Sequence, residues 1–307
     1  MLALPFKTIS VRALVLICAL LACACHSGRP AAENSTREIT DDTGRQMPLP
    51  ARVDRVISLA PNLTEIVFAV GGGDSLVGNT TYCDYPAQAK AVAKVGDSIH
   101  PSLEAIIALR PQVVLISTSS QLEAFTRQLQ DRNIAVFVSD PHDLEGIFRS
   151  IDQVGQILGQ TEQASQLLKS LRERVDAVEQ AVKQTKPVRV FYQASGEPLY
   201  AAGRDAYVTD LIRRAGAISV TADVPGAWPK YSKESALAAQ PEAIILPTGG
   251  SMGAANSTVD ESLRTSPAVR SGRVYKINDD YLARPGPRAI DGLEAMARAL
   301  HPEAFKL

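Results

Sequence analysis

Residues able to do covalent or metal chemistry are few and scattered. The four histidines, His26, His100, His142 and His301, form no H-x-x-x-H pair and no Cys/His cluster with the spacing a metal ion requires. There is no G-x-S-x-G nucleophile elbow. The run Gly249-Gly250-Ser251-Met252-Gly253 lacks the Lys-Ser/Thr of a phosphate-binding loop, so it reads as a loop after a strand. Cys83 is the one thiol of the folded body and reads as a small buried side chain. No catalytic or metal-binding set emerges. The aromatic residues are more informative. Phe68, Phe125, Phe137, Phe148 and Phe191 fall inside periodic segments and read as core. Tyr82, Tyr85, Tyr200, Trp228, Tyr231 and Tyr281 instead fall in or beside loops rich in Pro, Gly and Asp, most of which follow apolar runs. Rings with a polar edge, gathered at the ends of strands, suit a large, partly apolar ligand.

Those loops need a scaffold. Short apolar runs at 56–60, 76–79, 113–117 and 134–138 alternate with amphipathic helical patterns at 63–70, 103–109 and 121–132, the grammar of a parallel α/β lobe. A turn at 41–44 divides an extended segment, 39–49. From Asp143 to Lys186 there is no strand signal. One helix runs from Asp143 to Leu158 and stops at Gly159. Thr161 is expected to cap a second, with Leu167, Leu168, Leu171, Val175, Val178 and Val182 as its apolar stripe. Extending to Gln184, that helix would be roughly 36 Å long, enough to cross a small domain. Pro187 ends it, and Val188–Tyr192 opens a second α/β series.

The two series share a repeat. Glu104-Ala-Ile-Ile-Ala-Leu-Arg-Pro111 matches Glu234-Ser-Ala-Leu-Ala-Ala-Gln-Pro241, each followed by an apolar strand. An acid at a helix start is favoured by the helix dipole. Equivalent exposed acids on two lobes would also suit docking on a two-fold symmetric partner.

The N-terminus reads as a processing segment. Lys7 and Arg12 precede the apolar run 13–22, too short to span a bilayer, and Leu20-Leu21-Ala22-Cys23 resembles a bacterial lipobox. Cys23 is then the lipidated residue, with Cys25 the alternative, and plain secretion with cleavage at an Ala the other reading. The segment 24–37, rich in Ser, Gly, Pro and Ala, reads as a tether. Lys+Arg number 32 against 33 Asp+Glu, so the chain has no general electrostatic attraction for nucleic acid.

The chain resembles periplasmic substrate-binding proteins of the metal-chelate class, which serve ABC importers. The resemblance runs from about Arg55 to the C-terminus. It rests on Arg55-Val-Ile-Ser-Leu-Ala-Pro-Asn-Leu-Thr-Glu65, Tyr82-Cys-Asp-Tyr-Pro86, Pro101-Ser-Leu-Glu104 and Arg284-Pro-Gly-Pro-Arg288. Within the class it is most similar to vitamin B12-binding proteins. The discriminating features are the Tyr-Cys-Asp-Tyr-Pro loop and the Pro-Gly-Ala-Trp-Pro loop at 225–229. The resemblance implies two Rossmann-like α/β lobes with parallel sheets, joined by a long rigid helix, with a ligand cleft between them. The division is 1–23 signal peptide, 24–37 tether, 38–160 N-terminal lobe, 161–186 connecting helix and 187–307 C-terminal lobe. The ligand the resemblance implies is cobalamin or a related corrinoid, carried as cargo with no resident cofactor. Tyr82, Tyr200, Trp228 and Tyr281 would be its aromatic contacts, with Asp84, Asp280 and Arg284 as polar partners. Glu104 and Glu234 would pair with arginines of a permease dimer served by its ATPase. The implied protein is a periplasmic, lipid-anchored monomer without enzymatic activity.

The sequence departs from that family at two places. Ser117-Thr118-Ser119 stands where a further Trp can occur, and Tyr281 stands where another can. The alternatives are haem or a ferric siderophore on the same fold, with Tyr82, Tyr281 or His100 as an iron ligand. Further off lie an exported corrinoid- or metallophore-modifying enzyme and a sensory lipoprotein.

Overall fold

The computed structural model describes residues 37–117, 123–250 and 258–306, so the lipobox with Cys23, residues 24–36, and Thr118 and Ser119 lie outside the described residues. Arg37 to Leu307 form one compact unit. The chain enters as a hairpin, β1 (Arg37–Thr40) and β2 (Gln46–Leu49), turning where Asp41 accepts hydrogen bonds from Thr43 and Arg45.

Two sheets follow. The first holds β3 (Val56–Ser58), β4 (Leu76–Asn79), β5 (Val113–Ser117) and β6 (Ala135–Ser139) in the order β4-β3-β5-β6, all parallel. Its helices are α1 (Pro61–Ala69), α2 (Leu103–Ala108) and α3 (Glu123–Gln130). Pro61 occupies the first turn of α1, where its missing N–H costs nothing, so that helix begins two residues before the apolar pattern does.

The second sheet holds β7 (Val188–Gly196), β8 (Leu199–Ala201), β9 (Ala217–Ser219), β10 (Ala243–Thr248) and β11 (Val274–Asn278). Its order is β11-β10-β7-β8, with β9 also beside β7. β8 is antiparallel to β7, so this sheet is mixed at one edge. Its helices are α6 (Tyr207–Arg214), α7 (Lys233–Ala238), α8 (Pro267–Arg270), α9 (Asp279–Leu282) and α10 (Ala289–Leu300), numbered after the two connecting helices α4 (Leu144–Leu158) and α5 (Thr161–Val182).

Parallel strands must be covered on both faces, and the two-residue period supplies this. Val113 and Leu115 of β5 face one apolar layer, and Val114 and Ile116 face another. In β10, Ala243 and Ile245 face the same inner layer as Val113, while Ile244 and Leu246 face a separate outer one. The inner layer is therefore continuous through both halves.

The connecting helices staple that layer. Asp143 caps α4 by accepting from the Gly146 N–H, and Gly159, at φ 66°, ends it in the left-handed region. Only Gly159 and Gln160 separate α4 from α5, so Thr161 is the first helical residue rather than the expected cap, and no side chain caps α5. The tight junction depends on Gly155, where an added Cβ would sit 2.4 Å from that of Ala164. At 22 residues α5 is about 33 Å long. Its stripe of Leu171, Val175, Val178 and Val182 is buried. Arg172 pairs with Glu145 of α4 at 2.9 Å, and Arg174 pairs with Asp291 and Glu294 of α10 at 2.6 and 2.8 Å. One helix thus packs on both halves. No helix among the described residues is long and apolar enough to cross a membrane.

Candidate ligand cleft

A cavity of about 390 Å³ opens where the carboxyl ends of strands from both sheets converge. The first sheet brings Asn62 after β3, Tyr82 after β4, Ser117 at the end of β5, and Asp140 and His142 after β6. The second brings Asp205 and Tyr207 at the start of α6, Trp228, and Asp279, Asp280, Ala283, Arg284 and Pro285 after β11. The first half also contributes Ile99, 71% exposed on a pinched loop. That loop turns at Gly96, φ 105°, where a Cβ would meet the His100 carbonyl oxygen at 2.5 Å. Asp97 braces it by accepting the Ile99 and His100 N–H groups at 2.7 and 2.5 Å.

Trp228 is the main aromatic wall, 44% exposed. Its ring stands 6.1 Å from that of the buried Tyr192, tilted by 45°, a favourable geometry for an aromatic pair. Its loop is strapped down: Gly203 N–H donates to the Ala227 carbonyl at 2.9 Å, and Gly226 N–H donates to the Asp205 carboxylate at 2.8 Å. Tyr82, 37% exposed, faces the cavity from the other half. Tyr207 is buried, with its hydroxyl donating to the Leu282 carbonyl.

Arg284 borders the cavity, yet it is buried among carboxylates. Its guanidinium pairs with Glu65 of α1 and Asp84 at 2.9 Å each and with Asp280 at 3.0 Å. Glu65 is 3% exposed and also binds Arg288 at 2.6 Å. Asn62 donates to the Pro285 carbonyl at 3.3 Å beside them. This cluster ties the first sheet's α1 to the segment after β11. On the other side of the cavity, His142 Nδ1 lies 2.9 Å from the Asp205 carbonyl oxygen, and Leu144 N–H donates to Asp210 at 3.1 Å. A carbonyl can only accept, so Nδ1 carries a proton, and Nε2 faces the Asp140 carboxylate at 3.2 Å. The Asp205 carbonyl, and then the Asp140 charge, hold the His142 pKa above its ordinary value against partial burial.

Of the seven sequence-predicted ligand residues, Tyr82, Trp228, Asp280 and Arg284 border the cavity. Asp84, Tyr200 and Tyr281 do not. Asp84 reaches Arg284 from behind. Tyr200 sits in β8 and bridges to Lys230. Tyr281 lies beneath the Arg288 guanidinium, 5.6 Å from its ring centroid, and Tyr85 lies beneath the same group at 4.0 Å. Tyr231 packs against Phe191 rather than facing the cavity. His100 stands on the braced loop but is not part of the wall. Polar wall residues outside the sequence-predicted set include Asn62, Asp140, His142, Asp205, Tyr207 and Asp279. Asp279 directly follows β11, and His142 stands three residues past β6 as Tyr82 does past β4, so the few positions past a strand end are the signal.

Glu104 and Glu234 occupy matched, exposed settings. Ser102 caps α2 by accepting from Ala105 N–H while its hydroxyl donates to Glu104 at 3.3 Å. Ser232 caps α7 by accepting from Ser235 N–H while its hydroxyl donates to Glu234 at 2.8 Å. The backbone N–H of Glu234, followed by that Ser232 hydroxyl, holds its carboxyl below the usual range. Each acid follows a cavity-wall residue by one short loop, Ile99 before Glu104 and Trp228 before Glu234.

The sequence profile described as "Periplasmic binding protein" matches residues 56–281, from β3 into α9. The chain belongs to the periplasmic binding protein family. It is 29% identical over 317 residues to the uncharacterized ABC transporter substrate-binding lipoprotein YvrC of Bacillus subtilis, covering 98% of this chain and 99% of that protein. It is 30% identical over 247 residues to the vitamin B12-binding protein of Photorhabdus laumondii, covering 80% and 88%. Its fold matches the periplasmic vitamin B12 binding protein BtuF of Vibrio cholerae with a TM-score of 0.72 at 26% identity, covering 83% and 99%. It matches the periplasmic heme-binding protein RhuT of Roseiflexus sp. equally well, with a TM-score of 0.72 at 26% identity, covering 82% and 99%. The chain is a substrate-binding protein of the ABC-importer type, with the two-lobe α/β fold and parallel sheets of that family. Its family and its solved neighbours are binding proteins, and the class is the one that takes B12, haem and iron chelates.

Proposed function

We propose that this protein captures cobalamin or a related corrinoid in the periplasm and delivers it to an ABC permease dimer. The observation that carries this reading is the charge of the cleft. Its walls are aromatic and aliphatic, and its acidic residues are Asp140, Asp205, Asp279 and Asp280. Its one arginine among the described residues is already paired with three carboxylates. Such a cleft is poorly matched to haem propionates or an anionic siderophore, each of which needs an unpaired cation. It suits a neutral chelate edged with carboxamides, which is the periphery of a corrinoid. His142 has both ring nitrogens engaged, which leaves it unsuited to hold iron. The haem reading keeps one supporting observation, the Tyr82 phenol at the cavity wall.

In this proposal residues 1–23 are a signal peptide, Cys23 carries the lipid, and 24–37 is the tether. The lobes are 38–160 and 187–307, held apart by 161–186, and the protein works as a monomer without catalysis. Trp228 and Tyr82 contact the corrin. Asp280, Arg284 and, behind them, Asp84 shape the polar wall, while Tyr281 and Tyr200 support it. Glu104 and Glu234 meet basic groups of the permease.

Calorimetric titration with cyanocobalamin, haemin and a ferric siderophore in parallel tests the reading. One-to-one binding of cyanocobalamin alone is expected. Binding of haemin with a Soret band that responds to Tyr82→Phe, and no cobalamin heat, would replace the corrinoid with haem.

A further inference from the structure

The four carboxylates that border the cleft are not equivalent. Asp140 has His142 as its partner at 3.2 Å. Asp205 accepts from Gly226 N–H at 2.8 Å and pairs with Arg204 at 3.4 Å. Asp280 pairs with Arg284 at 3.0 Å. Asp279, the first residue of α9, has no hydrogen-bond or ion-pair partner for its carboxylate among the described residues. It stands in the wall shared with Tyr207 and Trp228.

We propose that Asp279 is the residue that sets the charge specificity of the cleft: it accepts hydrogen bonds from N–H groups on the ligand edge and rejects ligands bearing carboxylates there. The proposal rests on the corrinoid reading and adds which corrinoid periphery is selected. A partly buried carboxylate without a protein partner keeps only part of its hydration, so a ligand that brings donors can replace the water it displaces, whereas one without them cannot. A ligand that brings a second anion worsens it in a site where charges are weakly screened. Burial and then the neighbouring Asp280 push the Asp279 carboxyl above its ordinary value, in keeping with its lack of a protein partner. The nearest cation, Arg284, cannot offset this, because Glu65, Asp84 and Asp280 already surround it.

The test compares two probes that differ only in the groups at issue, dicyanocobyrinic acid heptaamide and dicyanocobyrinic acid, the same ring with its seven peripheral groups as amides or as carboxylates. Both are titrated calorimetrically into the full chain and into Asp279→Asn and Asp279→Glu. The wild type is expected to prefer the amide ligand. Asp279→Asn is expected to narrow that preference at least about tenfold, chiefly by tightening the carboxylate ligand, as removal of a like charge should. Asp279→Glu, which keeps the charge, is expected to retain most of the preference, and this separates charge selection from a role in folding. If the wild type binds the heptaamide and Asp279→Asn leaves the ratio of the two affinities unchanged, the assignment of Asp279 is wrong and the corrinoid reading stands. If the wild type binds neither corrinoid, both are overturned.

Discussion

The two halves carry the same structural unit and use it differently. In the first, Gln112 accepts the Arg55 N–H at 3.0 Å, Arg55 Nε donates to the Leu109 carbonyl at 3.0 Å, and Arg110 before Pro111 has φ 47°. In the second, Glu242 accepts the Arg189 N–H at 2.9 Å, Arg189 donates to the Ala239 carbonyl at 2.8 Å, and Gln240 before Pro241 has φ 46°. Both units are capped by serine and present a glutamate at the outer end. The cleft walls diverge where these scaffolds agree. The first half offers Tyr82, the exposed Ile99 and the engaged His142. The second offers Trp228 backed by Tyr192, together with Asp205, Asp279 and Asp280. A repeated frame that presents the same acids outward is what docking on a symmetric partner requires. Unlike walls are what an unsymmetrical ligand requires.

Changing both frame acids is the largest expected effect. Glu104→Arg with Glu234→Arg places positive charge where the paired exposed acids stand and leaves the cavity untouched. Cobalamin-dependent growth or labelled uptake should be abolished while calorimetric affinity stays at the wild-type value. Normal uptake would dissociate the repeat from docking.

Next comes the link between the halves. Glu65 is buried against Arg284 and Arg288, so Glu65→Gln leaves one buried and one partly buried guanidinium group short of an anion. Loss of a partner from a buried ion cluster costs about 3–5 kcal/mol. Urea denaturation should show a loss of that order. A change below about 1 kcal/mol would mean that Asp84 and Asp280 suffice alone.

The comparison of the walls can be sharpened within one titration series. Trp228→Ala removes the aromatic anchor of the second half and should weaken ligand binding by about 2 kcal/mol or more. Ile99→Ala trims a residue standing mostly in solvent in the first half and should cost well under 1 kcal/mol. Equal losses would place ligand contact evenly on both halves.

Much of the frame was legible in the sequence. Leu76–Asn79 and Val113–Ser117 form strands at the bounds their apolar runs predict, because parallel strands covered on both faces read as uninterrupted hydrophobic runs. Asp143 and Gly159 delimit α4 through local capping chemistry. The start of α5 was not legible in the same way. Thr161 is a competent cap, but Gly159 re-aims the chain so sharply that only one further residue, Gln160, precedes α5. The short antiparallel β8 was not legible either. Three residues carry too little periodicity to read, and β8 exists only because β7 lies beside it.

By itself the sequence determined the alternation of strands and helices, the repeat that presents Glu104 and Glu234, and the loops that hold Tyr82, Trp228 and Arg284. Each follows from interactions within a few residues of chain, where propensity, capping and period act directly. Only the tertiary structure decided which of those loops share a wall. Tyr200 and Tyr281 turn to β8 and Arg288, while His142, Asp205 and Asp279 reach the cavity. It also decided that Arg284 is already paired, whereas Asp279 has no hydrogen-bond or ion-pair partner among the described residues. Whether a charge is free for a ligand depends on its neighbours in space, and Glu65 reaches Arg284 from far along the chain because α1 packs against the segment after β11.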